Sequence, residues 1–285
     1  MIEWRYGDQL DWRLVMVGLS EDTSRYEAHG YSPARMAQGH VRFRSRYGMP
    51  FASAPKPRPS ASSRACRAVI AARLLWPGSE WGVFRALQLA NFTTPLLLDD
   101  DDQLREVLST VSGVDADRIV STLDTPDVLT SYEHDKAQTR GAAGSPTELQ
   151  GKAGNSDGKV RYTAPSVVFE ARDGRRLEAG GFQPVEAYDV IIANLDPTLE
   201  RKPPPADPVE LLGEFEFGLT TQEIAALLTQ GNDLPDRAGA EAAMIELVAE
   251  GRAERHPRGD DALWTVPGGW RPAEPGAVLA AGVAG

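Results

Sequence analysis

The chain has 285 residues, of which 41% are hydrophobic and 25% charged. That is enough apolar material for a sizeable core, and it excludes wholesale disorder. Lys plus Arg total 30 against 41 Asp plus Glu, a formal net charge of -11, which argues against non-specific binding to nucleic acid or to an anionic membrane surface. A single cysteine, Cys66, excludes an intrachain disulfide, a CxxC redox pair and a cysteine-rich zinc site within these residues, and makes a reducing cytoplasm the default. The opening MIEWRYGDQLDW has no apolar stretch of signal-peptide type, and runs such as 68–75 and 277–285 are too short to span a bilayer. His29, His40, His134 and His256 lack metal-ligand spacing, so neither a metal nor a cofactor is expected.

In chain order, IEWRYGD reads as the last turn of a helix ending at Gly7. DWRLVMVGL alternates and is rich in β-formers, which predicts a strand over 11–17. Ser32 followed by Pro33 starts a helix over 33–46, and FASAPKPRPSA is a proline-rich loop. From 63 to about 130 the pattern is helical. Ala65, Cys66, Val69, Ile70 and Leu74 fall close to one face. The run Asp99–Asp102 lies at a helix start, where carboxylates complement the dipole. It lacks the ligand spacing of a calcium loop.

A Gly- and Ser-rich connection precedes a change of period. RYTAPSVVFEA reads as a strand, DGRRLEAGGF as a turn and second strand completing a hairpin, and PVEAYDVIIANL as a helix. DPTLERKPPPADP is a stiff, Pro-rich linker over 198–207. Beyond it, 208–267 offers short helices, one of them started by Thr220 and Glu223 in capping-box spacing. A helix over 237–252 follows, with Ala242, Ile245, Leu247, Val248 and Ala249 available to the core, then a hairpin turning at 257–261. Three helices and a β-ribbon is the winged-helix order. That helix carries Glu241, Glu246 and Glu250 and no internal Lys or Arg. It is therefore a poor reader of a DNA groove, and the unit is expected to serve protein interaction or homodimerisation. Residues 268–285 read as a disordered tail.

RYGDQLDWRLVMVGL, Met49-Pro50, SSRACRAVIAARL, SPTELQ and YTAPSVVFEARDGRRLEAGGFQPVEAYDVIIANLDP together resemble the DsbA family. Within it they look like the proteins called FrnE-like or predicted dithiol-disulfide isomerases. The resemblance covers about 1–197 and implies an α/β, thioredoxin-like domain with a helical insert over about 58–140. It implies thiol–disulfide exchange on protein or small-thiol substrates. It further implies a cis Pro165 and a substrate groove at Tyr162, Thr163, Ala164 and Pro165, where a strand without its donor exposes the backbone of Ala164.

The catalytic CxxC of that family sits after the first strand, at the start of the first helix, where the dipole lowers a thiol pKa. This chain opens near the end of that helix. The expectation is a reading truncated before the CxxC, with no catalytic residue in the chain as given. A thioredoxin sheet without its central strand would leave backbone groups unpaired at about 1–3 kcal/mol for each buried one, against a total stability of about 5–15 kcal/mol. Cys66 is expected to be a buried, inert core residue of the insert. Two alternatives stay open: a glutathione-dependent 2-hydroxychromene-2-carboxylate isomerase-like enzyme, which shares the domain, and a non-catalytic binding or regulatory module.

Overall fold

The computed structural model describes residues 1–273 apart from Ser53 and Asn232, and only the backbone of Arg25. In chain order the elements are α1 (Ile2–Tyr6), α2 (Ser24–Ala28), α3 (Pro33–Tyr47), α4 (Ser63–Leu75), α5 (Glu80–Thr93), α6 (Asp101–Leu108), α7 (Ala116–Thr122), α8 (Pro126–Thr139) and α9 (Pro146–Leu149). There follow β1 (Ala153–Asn155), β2 (Val160–Tyr162), β3 (Ser166–Glu170), β4 (Arg176–Gly180), α10 (Val185–Leu195), α11 (Pro208–Glu214), β5 (Leu219–Thr220), α12 (Thr221–Leu228), α13 (Arg237–Ala249), β6 (Glu254–Arg258) and β7 (Asp261–Thr265). The protein is mixed α/β, mostly helical, with small antiparallel sheets: β1 with β2, β3 with β4, and β5, β7, β6 in that order. Among the described residues no helix is long and apolar enough to cross a membrane.

Local chemistry sets the boundaries. Ser32 Oγ accepts from the Arg35 amide at 3.2 Å and opens α3. Asp100 accepts from the amides of Asp102 and Gln103 and opens α6. These side chains satisfy amides that the first helical turn leaves without partners. Thr220 and Glu223 form the reciprocal capping box of α12.

Two compact units divide the chain: 1–19 with 129–204, and 20–128 with the described part of 205–285. One passage between the units, from 204 to 205, falls inside the linker expected over 198–207, and the residues from 20 to 128 cluster with those after 205. The Pro-rich segment itself is held in the first unit. The Lys202 amide donates to the Arg5 carbonyl at 2.8 Å, and the Trp4 indole donates to the Pro203 carbonyl at 2.8 Å. The Lys202 ammonium sits 3.6 Å from the Trp4 ring centroid.

In the first unit the expected strand over 11–17 does not form, and no thioredoxin sheet is present among the described residues. The segment runs without a strand partner, and side chains of α8 and of Arg140 just after it take its backbone groups instead. Asp135, buried, accepts from the Met16 amide at 2.9 Å and pairs with Arg13 at 3.1 Å. Arg140 donates to the carbonyls of Val17 and Gly18. Gly18, at φ +57°, lies against the Tyr132 ring so closely that a side chain there would collide with it. The hairpin does form: β3 pairs with β4 from Ser166 opposite Gly180 to Glu170 opposite Arg176. α10 then lays Tyr188 beside Phe169, with ring centroids 6.2 Å apart.

In the second unit the core runs through α4 to α7 and the C-terminal elements. The expected inward face of α4 is corrected. Ala68, Val69, Ile70, Ala71 and Ala72 are buried, Cys66 is only half-buried and Leu74 is exposed. On α13 the buried stripe is Ala240, Met244 and Leu247, at i, i+4 and i+7, while Ile245 and Val248 face water. Arg85 of α5 holds Glu223 with both terminal guanidinium nitrogens, at 2.9 and 2.6 Å. The Phe217 ring occupies the space that a side chain at Gly82 would need. The expected tail is packed over 268–273: the Trp270 indole donates to the Thr110 carbonyl at 2.9 Å, and Arg258 donates to the Pro272 carbonyl at 2.7 Å. Residues 274–285 lie outside the described residues.

Candidate functional site

The residues that sequence reading nominated, Tyr162, Thr163, Ala164 and Pro165, close β2 and lead into β3. They belong to the first unit, and their environments differ. Ala164 and Pro165 are exposed, and the peptide bond between them is cis. Thr163 is half-buried: its hydroxyl donates to the Lys152 carbonyl at 2.8 Å and lies 3.4 Å from Ser166 Oγ. Ser166 Oγ accepts from the Gly181 amide at 3.2 Å and so ties the two ends of the hairpin together.

Tyr162 is buried, and its hydroxyl donates to Glu178 Oε1 at 2.5 Å. The other Glu178 oxygen accepts from the Thr147 hydroxyl at 2.9 Å, and Arg176 donates to the Tyr162 oxygen at 3.3 Å. Burial, then the Glu178 carboxylate, push the Tyr162 phenol up. Burial alone would raise the Glu178 carboxyl, but the hydroxyls of Tyr162 and Thr147 outweigh it and hold the group below the usual carboxylate range. Tyr162 is thus a buttress: it fixes β4 behind the exposed pair Ala164–Pro165.

The buttress has a testable consequence. Y162F removes a charge-assisted donor, and the expected loss is about 1–2 kcal/mol. Glu178 then titrates nearer its ordinary value. Because its folded pKa lies below the unfolded one, its contribution is present above the unfolded value and fades as pH falls through the folded one. A carboxyl carbon titration by NMR would show the Glu178 midpoint rising in Y162F. An unmoved midpoint would remove Tyr162 as the cause.

The two-stranded hairpin has two outer edges, one of them on β3. The Ala171 amide bonds the Arg175 carbonyl at 2.8 Å next to the turn, so by alternation Phe169 and Val167 face β4. Ser166, Val168 and Glu170 then turn their backbone groups away from it. β3 pairs with β4 alone among the described residues.

One buried group escaped sequence reading. Lys56, in the proline-rich loop, is 6% exposed. Its ammonium donates to the Leu96 carbonyl at 2.6 Å and to Asn91 Oδ1 at 3.2 Å. Burial pulls its pKa down to about 8, against the opposing pull of Asp99. Asp99 in turn accepts from Ser60 Oγ, the Ala61 amide and Arg58 at 3.0, 2.9 and 2.8 Å. Part of the aspartate run therefore anchors a loop rather than a helix start. No pattern in APKPRPS announces a buried lysine, since it depends on which distant carbonyls fold over it. No group of His, Cys, Asp or Glu suited to a metal occurs among the described residues. Comparison with known protein families and with curated proteins finds no match to this chain.

Proposed function

We propose that this chain is a homologue of the DsbA family in which the segment Thr163–Pro165 presents backbone to an extended protein or thiol-bearing substrate. The carrying observation is the exposed Ala164–Pro165 pair at the mouth of an antiparallel hairpin that continues into α10. An extended peptide laid along such a backbone gains main-chain hydrogen bonds, with neighbouring side chains selecting its sequence. Tyr162 and Glu178 supply rigidity from behind.

The chemistry of exchange needs a thiolate attacking a disulfide and a second thiol to release the mixed intermediate. The chain as given carries one cysteine, and Cys66 lies in the other compact unit, half-buried on α4. Binding without a two-cysteine cycle is therefore the activity assigned to it. After Pro208, the order α11, β5, α12, α13, β6, β7, with its three-stranded sheet, supports a winged-helix reading used for protein contact.

Titration of isotope-labelled protein with an extended, uncharged peptide tests the reading by NMR. Amide shifts concentrated over 162–168 are expected. Shifts confined to the other unit, or none at millimolar peptide, would discard it. In parallel, insulin reduction should not exceed a protein-free blank, and C66S should match the parent.

A further inference from the structure

Net charge conceals a strongly basic helix. α3 contains Arg35, Arg42, Arg44 and Arg46 and no Asp or Glu. Arg44 is pinned to Asp260 at 3.1 Å. Arg35, Arg42 and Arg46 are exposed, and none makes an ion pair among the described residues. At i, i+7 and i+11 they fall within about 20° of one line along the helix and span about 16 Å of its axis. A surface carrying three unpaired guanidinium groups on one line repels cations and attracts a linear anion.

Aromatic rings lie beside the stripe. Phe43 is 43% exposed and stacks on Tyr47 and Phe51, with ring centroids 5.8 and 6.1 Å away. Phe51 meets Phe92 edge-on at 5.3 Å, and His40 closes the cluster 5.5 Å from Phe51. The Arg46 guanidinium sits 5.3 Å from the Tyr47 ring centroid. Each ring supports its neighbour, so Phe43 offers an already ordered, partly open face. Gly48, at φ +69°, ends the helix against Gln222, which holds this end of α3 within the second unit.

We infer that the arginine stripe and the Phe43 face of α3 bind single-stranded nucleic acid. Guanidinium groups suit the phosphates, and an exposed, ordered ring suits an unstacked base, the combination that single strands use without sequence preference. A duplex hides its base faces and carries a denser charge, which an acidic chain opposes. A membrane-inserting helix would expose a broad apolar face, whereas the rings here are largely spent on one another. The inference is independent of the proposed substrate segment, which lies in the other unit.

Fluorescence anisotropy of labelled oligothymidylate with the full chain tests it. Three phosphate contacts predict a log–log salt slope of about -2, so affinity should fall about 15-fold between about 50 and 200 mM salt. R42Q with R46Q should cut affinity about tenfold at low salt and flatten the slope to about -0.7. F43A should weaken binding at least fivefold without changing the slope. Thermal melts would check that the variants fold, and the two surface glutamines carry the test if F43A does not. Absence of binding at low salt, or binding that the arginine variants leave unchanged, overturns the inference. Equal capture of labelled polyglutamate or anionic vesicles, with the same variant losses, assigns the face to an acidic polypeptide or a membrane instead and also overturns it.

Discussion

Between pH 7 and 10.5 the stability of the protein should rise relative to K56M by about 3 kcal/mol. Lys56 is buried, and its pKa falls from 10.5 to about 8 in the folded chain. Over the window between those values the unfolded chain holds a proton that the folded chain has released. More protons on the unfolded state means stability increasing with pH. The difference between the two values, at about 1.4 kcal/mol for each pH unit, gives the magnitude. Below pH 8 both states carry the charge, and the full burial penalty is felt. Tyr6, Tyr162 and Tyr188 are pushed the other way, so their ionisation above pH 10 opposes folding. Comparison with K56M cancels them. The variant keeps the aliphatic stem but leaves the Leu96 carbonyl and Asn91 without their donor, a loss of about 1–3 kcal/mol that does not vary with pH. Urea unfolding of both proteins at several pH values would measure the gap. A gap that stays flat from pH 7 to 10.5 would show that Lys56 keeps an ordinary pKa.

The second large effect is expected from D261A, at about 3 kcal/mol of destabilisation. Asp261 opens β7 and is buried. It accepts the Thr221 hydroxyl at 2.7 Å and pairs with Arg237 at 2.9 Å, while Thr221 accepts from the Trp264 indole at 2.9 Å. Thr221 and Trp264 are themselves fully buried. Removing the carboxylate strands the hydroxyl inside the core and frees Arg237. Breaking a buried pair is worth about 3–5 kcal/mol, and the 41% exposure of the Arg237 side chain places this one at the lower end. D261N should recover part of the loss, because an amide oxygen still accepts from Thr221. Equal damage from Ala and Asn would shift the weight onto the ion pair. A loss under about 1 kcal/mol would mean that water replaces the carboxylate.

Elements governed by neighbours in sequence were legible. The start of α3 at Ser32, the capping box at Thr220 and the hairpin before α10 each depend on contacts a few residues apart. Helix faces were less so. Periodicity put Cys66 and Ile245 inward, yet the packed stripes are Ala68–Ala72 on α4 and Ala240, Met244 and Leu247 on α13. A moment gives a direction averaged over a helix, and the neighbours that cover it decide the last residue either side. The segment over 11–17 shows the larger failure. Its alternation is strand-like, but a strand needs a partner edge, and here Asp135 and Arg140 take the backbone groups. The nominated residues divide in the same manner. The pair Ala164–Pro165 was nominated through the family resemblance, whereas the role of Tyr162 waited on Glu178 and Thr147.

The lone cysteine and the acidic balance were decided by sequence alone: one thiol cannot close an intrachain disulfide. Sequence also determined that the protein is mixed α/β and where most helices begin, because capping and turn chemistry act within one or two turns of chain. Tertiary structure decided which segments share a unit, that Lys56 is enclosed, and that the α3 arginines line up beside ordered rings. Those properties arise from groups far apart in the chain. Burial, desolvation and alignment exist only after the chain has closed around them.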